Sequence, residues 1–211
     1  MTKKTKTPRE RRHARTRQDI LNTALELIME KGADNLSLRE IARRVDYSPA
    51  GLYEYFGSKE EIIDAVCVEA DERFYQMLKA VDNSLPLRDY IIELGMAYIN
   101  FACENTEQFL FLYTNFVADI TQIETVDNVI DMQALINPDN SFGMFYHVVQ
   151  QAMDAGLIKP HTDMNTLDIV YAIWSLVHGM AMLQVRYLKH FPYDFSQADR
   201  NTIEALLDGL G

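Results

Sequence analysis

Two helix starts follow one another so closely between Ser37 and Gly57 that the chain there can form only short helices joined by a tight turn. Ser37-Leu38-Arg39-Glu40 reads as a capping box, in which the Ser37 hydroxyl accepts from the Glu40 amide and the Glu40 side chain reaches back. The apolar set Leu38, Ile41, Ala42 and Val45 follows i, i+3, i+4, i+7 and leaves Arg39, Arg43 and Arg44 on other faces. Asp46-Tyr47 breaks that period. Ser48 is a good N-cap and Pro49 suits the first helical position, so a further short helix is expected from Pro49 to about Phe56, ended by Gly57.

A supporting helix precedes this pair. From Ile20 the residues Ile20, Leu21, Ala24, Leu25, Leu27 and Ile28 form one helical face, and Gly32 supplies a stop. Ser58-Lys59-Glu60-Glu61 is a second capping box, opening a long helix through Ile62, Ile63, Val66, Ala70, Phe74, Met77 and Leu78. Beyond residue 84 helices are expected near 86–104, 106–120, 138–155, 163–190 and 196–209. Asn137-Pro138 and Ser196 to Asp199 read as starts, and Gly156 as a stop. The fold class is therefore all-α: an N-terminal three-helix head with helix-turn-helix spacing, and a C-terminal helical bundle. The expected divisions are a basic disordered tail over 1–14, the head over 15–60 and the body over 61–211.

Charge separates these parts. The net charge is −11, yet residues 1–60 hold 13 of the 20 Lys and Arg against 9 Asp and Glu. The rest of the chain is strongly acidic, so only the N-terminal part favours a polyanion. Its first seventeen residues, with Lys3, Lys4, Lys6, Arg9, Arg11, Arg12, Arg15 and Arg17, are nearly devoid of apolar side chains and are expected to stay mostly disordered until bound. Cys67 and Cys103 are too few for a disulfide framework and read as buried, inert thiols in a reducing cytoplasm. The apolar run Ile169 to Val185 contains Ser175, His178, Gly179 and Gln184 and reads as a buried core helix rather than a membrane span. His147 and His178 lack metal-ligand spacing, so neither metal nor cofactor is expected.

Two short helices joined by a tight turn, with a supporting helix and a basic tail, are what a major-groove reader needs, because the groove admits one helix and phosphates flank it. The stretch Ile41 to Glu61, with Leu52-Tyr53-Glu54-Tyr55-Phe56 and Ser58-Lys59-Glu60, closely resembles the signature of the tetracycline-repressor (TetR) family. The resemblance covers roughly residues 15–65. It departs in the turn, where that family usually has Gly then Val and this chain has Asp46 and Tyr47; Asp tolerates left-handed backbone better than most residues. The resemblance implies phosphate contacts by Tyr53, Tyr55 and Lys59, and groove-facing positions for Ser48, Ala50, Gly51 and Glu54, with Arg39, Arg43 and Arg44 as basic neighbours. Leu52 and Phe56 are assigned to the core.

The resemblance also implies a homodimer on double-stranded operator DNA, joined through a four-helix bundle formed by 163–190 and 196–209 of each subunit. A pocket for a small effector would lie among the middle helices, with Phe101, Tyr113, Phe116, Met144 and Phe145 as candidate lining residues, and His147 beside them. Trp174-Ser175-Leu176-Val177-His178-Gly179 resembles a Trp-x-x-x-His-Gly motif of some members of that family, making Trp174 and His178 either a packed core pair or pocket residues. The acidic body offers few cationic clamps, so a lipophilic neutral or cationic effector is expected. Two other readings stand beside this one: a DNA-bound helical adaptor controlled by protein partners, and an enzyme using His147, His178 and acidic neighbours. The second lacks a nucleophile elbow, a phosphate-cradling glycine loop or a metal motif.

Overall fold

The computed structural model describes residues 7–115, 125–126, 129–130, 132–159 and 163–211. The chain resolves into two compact units, one drawn from Met1–Ala70 with Phe111–Asp119 and the other from Asp71–Leu110 with Ile120–Gly211.

In the first unit, α1 (Pro8–Lys31) starts earlier than the sequence suggests. Order was expected near Arg15, with 1–14 disordered. Instead Thr7 and Glu10 form a capping box, the Thr7 hydroxyl accepting from the Glu10 amide and the Glu10 carboxylate from the Thr7 amide at 2.6 Å, and Pro8 presets the first turn. Gly32 ends α1 with φ +83°, as its position predicted. A single 3-10 turn, Ala33–Asn35, leads to α2 (Leu38–Arg44). The capping box read at Ser37 does not form: the Ser37 side chain makes no cap bond, and the Glu40 carboxylate instead accepts from Lys31 at 2.7 Å. A full ammonium competes better for that carboxylate than a neutral amide.

The turn after α2 carries Asp46 at φ +59°, the left-handed conformation anticipated for it. Ser48 caps α3 (Pro49–Leu52), accepting from the Gly51 amide at 3.0 Å. Regular helix stops four residues short of Phe56, though the backbone bonds Tyr55 N to Leu52 O and Phe56 N to Leu52 O continue the winding. The Ser58 box is half realised. Ser58 accepts from the Glu61 amide, but the Glu61 carboxylate turns to the Gly57 amide at 2.6 Å. The next helix, α4 (Lys59–Lys79), gives its first half to this unit. Ile20, Leu21, Ala24, Leu27, Ile41, Leu52, Phe56 and Ile62 close one core, joined by Phe111. Burial of each large aliphatic side chain stabilises by roughly 1.5–3 kcal/mol.

In the second unit α5 (Leu87–Glu104) is the central helix, and α6 (Thr106–Asn115) comes after it. Thr125–Val126 and Val129–Ile130 form a two-residue antiparallel ladder, then come α7 (Met132–Leu135), α8 (Ser141–Asp154), α9 (Thr166–Leu183, continued by a π turn Gln184–Leu188) and α10 (Ser196–Leu210). The start of α8 is set by Asn140, whose side chain accepts from the Gly143 amide, and not by Asn137-Pro138. Asn137 crosses so near α8 that a Cβ on Gly143 would stand 1.9 Å from its carbonyl oxygen. Tyr75 donates to the Pro138 carbonyl at 3.1 Å and Ser141 to Asp71 at 3.0 Å, fixing this segment to α4. α5 packs against α8, α9 and α10. Gly95 permits the approach, since a Cβ there would lie 2.8 Å from Ile203 and 3.3 Å from Val177.

The helix Thr166–Leu188 is long and apolar enough to cross a membrane by length and composition alone. Its buried stripe is Ile169, Val170, Ile173, Val177, Ala181 and Val185, while Tyr171, Trp174, Leu183 and Tyr187 remain exposed. Asp199 is buried in α10 and accepts from Gln184, the first residue of the π turn, at 2.8 Å.

Candidate nucleic-acid interface

The exposed surface of the first unit gathers around α3. Ser48 and Ala50 are exposed, Tyr53 is 59% exposed, and Glu54 points to solvent beside it. Gly51 sits beneath the Tyr47 ring, and a Cβ there would meet the ring at 3.2 Å. Leu52 and Phe56 are buried, as assigned from sequence. Ser48 uses its acceptor for the helix cap and keeps its hydroxyl proton for another partner.

The basic residues divide into two kinds. Arg44 is engaged by Glu30 at 2.6 Å, with Glu26 and Glu40 within 3.8 Å, and its guanidinium hydrogen bond holds the Glu30 carboxyl below the ordinary carboxylate range. Arg39 and Arg43 are exposed and form no ion pair among the described residues. Lys59 donates to the Asp34 carbonyl at 2.7 Å, which tethers its ammonium while leaving two N–H groups for an anion.

Tyr55 is half-buried in an aromatic cluster that sequence reasoning missed. His13 of α1 stacks on it with centroids 4.5 Å apart, and Tyr47 meets it edge-on at 6.0 Å. A hydrogen bond between the two phenols, aided by Thr16, pulls the Tyr47 pKa down, and the same phenol–phenol bond with burial pushes Tyr55 up. Thr7-x-x-Glu10 was the signal that α1 reaches back to His13; the stacking itself is tertiary and left no local trace.

In the second unit the sequence-derived effector residues do not converge as one set. Phe101 is buried and packs on Phe74 at 5.0 Å. Tyr113 belongs to the first unit, and Phe116 lies outside the described residues. Met144 and Phe145 are half-buried on α8. His147 bonds the Ile136 carbonyl through Nε2 at 3.0 Å, which gives it a structural partner. Trp174 donates to the Tyr98 hydroxyl at 3.3 Å, and that hydroxyl lies 2.8 Å from Nδ1 of His178. The Tyr98 hydroxyl thus accepts from Trp174 and shares a hydrogen bond with Nδ1 of His178, whose pKa burial lowers. Trp174 and His178 also meet directly, with ring centroids 6.1 Å apart, so the expected core pair forms and Tyr98, 80 residues from His178 in sequence, bridges it. Gly179, expected to admit a neighbouring helix, faces open space in the single chain. A shallow groove of about 560 Å³ lies along the exposed start of α9, lined by Asp163, Met164, Asp168, Tyr171, Ala172 and Ser175, and contains none of the residues singled out from sequence. Cys67 is buried, but Cys103 is exposed, correcting the expectation of two buried thiols; the partial desolvation of its sulfur against its neighbours, then Asp199 and Glu104, push its pKa up. Among the described residues no group of three or more metal-ligating side chains gathers.

A head with this turn, this short capped helix and this supporting helix is that of a helix-turn-helix DNA-binding regulator. The profile of bacterial regulatory proteins of the tetR family matches residues 20–66, and the tetracyclin repressor-like C-terminal domain matches residues 91–210. The chain belongs to the TetR family of DNA-binding transcriptional regulators, and its relatives are regulators rather than enzymes. It is 33% identical over 78 residues to the HTH-type transcriptional regulator UidR of Escherichia coli, a match that spans 37% of this chain but only 40% of UidR. It is 22% identical over 192 residues to an uncharacterized HTH-type transcriptional regulator of Mycobacterium bovis, covering 91% of this chain and 84% of that one. Among solved structures, a tetR-family regulatory protein from Rhodococcus RHA1 superposes with a TM-score of 0.64 at 18% identity, over 93% of this chain and 97% of that one. The fatty acid degradation regulator FadR from Bacillus halodurans does so with a TM-score of 0.60 at 14% identity, over 97% of each chain.

Proposed function

We propose that this regulator is a cytoplasmic, ligand-responsive repressor that binds a near-palindromic operator as a homodimer and releases it when a small lipophilic effector, neutral or cationic, occupies the C-terminal body. The observation that carries the reading is the exposed surface formed by Ser48, Ala50, Tyr53 and Glu54 around a capped helix, flanked by the exposed Arg39 and Arg43. Small Ala50 and Gly51 let the backbone approach base edges, Glu54 can accept from a cytosine amino group, and Tyr53, Tyr55 and Lys59 face phosphates.

The exposed apolar residues Tyr171, Trp174, Leu183 and Tyr187, with Gly179 open on the same helix, support pairing of α9 and α10 with a second subunit. An isologous dimer buries such exposed apolar side chains against its own copy. The acidic body and the Phe74–Tyr98–Phe109–His178 aromatic cluster support a lipophilic effector over an anionic one. Footprinting on DNA flanking the protein's own gene, with light scattering of the free protein, tests the first half: two half-sites centred about 34–36 Å apart or a multiple, and a dimeric mass, are expected. A monomer with full operator affinity would contradict it. Titrating lipophilic cations, neutral aromatics and acyl-coenzyme-A compounds against the operator complex tests the second, and release by the anionic class alone would refute the charge argument.

A further inference from the structure

The helical start of α1 lies outside the span matched by the tetR-family profile, which begins at residue 20. It is also the most cationic stretch of the first unit: within Pro8–Arg17 there are five arginines, all exposed, and one acid, Glu10, whose carboxylate closes the cap on Thr7. Arg9, Arg12, His13 and Thr16 are spaced i, i+3, i+4, i+7 and share one side of the helix. That side is the one turned to the reader, because His13 stacks on Tyr55 and Thr16 is buried. Arg17, one residue on, lies over the Phe56 ring at 4.8 Å and pins the base of the segment to the head.

We propose that Pro8–Arg17 is a second, preordered DNA contact: a helical arm whose Arg9, Arg12 and His13 bind the phosphates bordering the reader's groove, held in place by the stack of His13 on Tyr55. The proposal rests on the reading of α3 as the groove element. It assigns Tyr55 two tasks, facing a phosphate and carrying the arm. The rise from Arg9 to the Arg12–His13 pair is about 4.5–6 Å, and each DNA strand presents one charge per about 3.4 Å of axis, so the arm spans two successive phosphates. A disordered tail of the same charge loses conformational freedom on binding; a capped helix does not.

The test uses the full-length protein and a duplex selected by it from random sequence, with affinity measured by fluorescence anisotropy across a salt series. Arg9→Ala with Arg12→Ala should flatten the slope of log affinity against log salt by about 0.9 for each phosphate that the variant no longer neutralises. Ala14→Pro keeps every arginine but uncouples the first turns, because proline is accepted at a helix start and α1 can begin there with the core from Thr16 onward intact. It should cost at least fivefold in affinity at a temperature well below the variant's own, lowered, melting transition. If Ala14→Pro binds like the parent while the double variant has the flatter slope, the arm is a flexible charged tail and the preordering is refuted; if neither changes, the arm does not touch DNA. Failure of the underlying reading is separable, since Tyr53→Ala would then also leave selected-duplex binding unchanged.

Discussion

Asp46 is the residue on which the reader's turn depends, and its backbone allows a worked prediction. Its φ of +59° places it in the left-handed region, which costs an ordinary L-residue about 1–2 kcal/mol, with Asp among the least penalised. Its side chain makes no hydrogen bond among the described residues, so substitution there tests the backbone almost alone. In Asp46→Gly the Cβ strain vanishes, but glycine gains about 0.5–1 kcal/mol of freedom in the unfolded chain, leaving stability within about 1 kcal/mol of the parent. Asp46→Val places a β-branched residue in that region and should lose about 2 kcal/mol relative to Asp46→Gly, roughly a thirtyfold change in the folding equilibrium. Urea denaturation monitored by circular dichroism at one fixed protein concentration measures the difference. Operator affinity should fall in the same order, because the turn sets the angle between α2 and α3. Equal stability and equal operator affinity for the glycine and valine variants would show that the turn absorbs the strain and that the reasoning is wrong.

Tyr98→Phe removes the hydrogen-bond partner of Nδ1 of His178 and should cost about 1–3 kcal/mol, whereas Trp174→Phe should cost less than about 1 kcal/mol of hydrogen bonding because the indole is 38% exposed and water can replace its partner; denaturation midpoints of the two variants decide it. Gly143→Ala should destabilise by about 2–5 kcal/mol, since its Cβ would strike the Asn137 carbonyl and threaten the Asn140 cap; an unchanged midpoint would place the 137–143 turn elsewhere. Burial holds the Asp199 carboxyl above its ordinary value of 3.8, with Gln184 countering and Asp194 adding to the rise. The folded state therefore binds this proton more tightly than the unfolded one, and stability from this group falls as pH rises from 3.8 through the raised value. Asp199→Asn should remove that fall, seen as a flatter stability–pH curve than the parent's over the same window.

Much of the head was legible because its signals are local. The Ile20–Ile28 stripe, the Gly32 stop, the Ser48-Pro49 start and the tolerance of Asp46 for a left-handed turn each depend on a few neighbouring residues, and each forms. Misreadings arose where a side chain had a choice of partners. Glu40 fits a capping box, yet Lys31 from the preceding helix takes it. Asn137-Pro138 has the composition of a helix start, but Asn140 reaches the amide. The stack of His13 on Tyr55 joins residues 42 positions apart and the Tyr98 link between Trp174 and His178 residues 76 and 80 apart, with no local pattern to announce them. The candidate pocket residues followed from the family resemblance rather than from any local pattern, and Phe101 and Tyr113 fall in different compact units.

The π turn at Gln184–Leu188 has a consequence at the level of the gene. Each residue of an α-helix turns the chain beyond it by about 100°, and a π turn is one in which an extra residue is carried without breaking the hydrogen-bonded ladder. Losing a single codon from this stretch would leave an intact helix, shorter by one residue. Everything past that point, Phe191 and Tyr193 included, would keep nearly its present facing, because the wide turn spreads its extra residue over a single full rotation. An insertion or deletion elsewhere in α9 would misalign the buried stripe from Ile169 to Val185. The wide turn is therefore the point at which descendants of this sequence can lose a residue while their last helix keeps its direction.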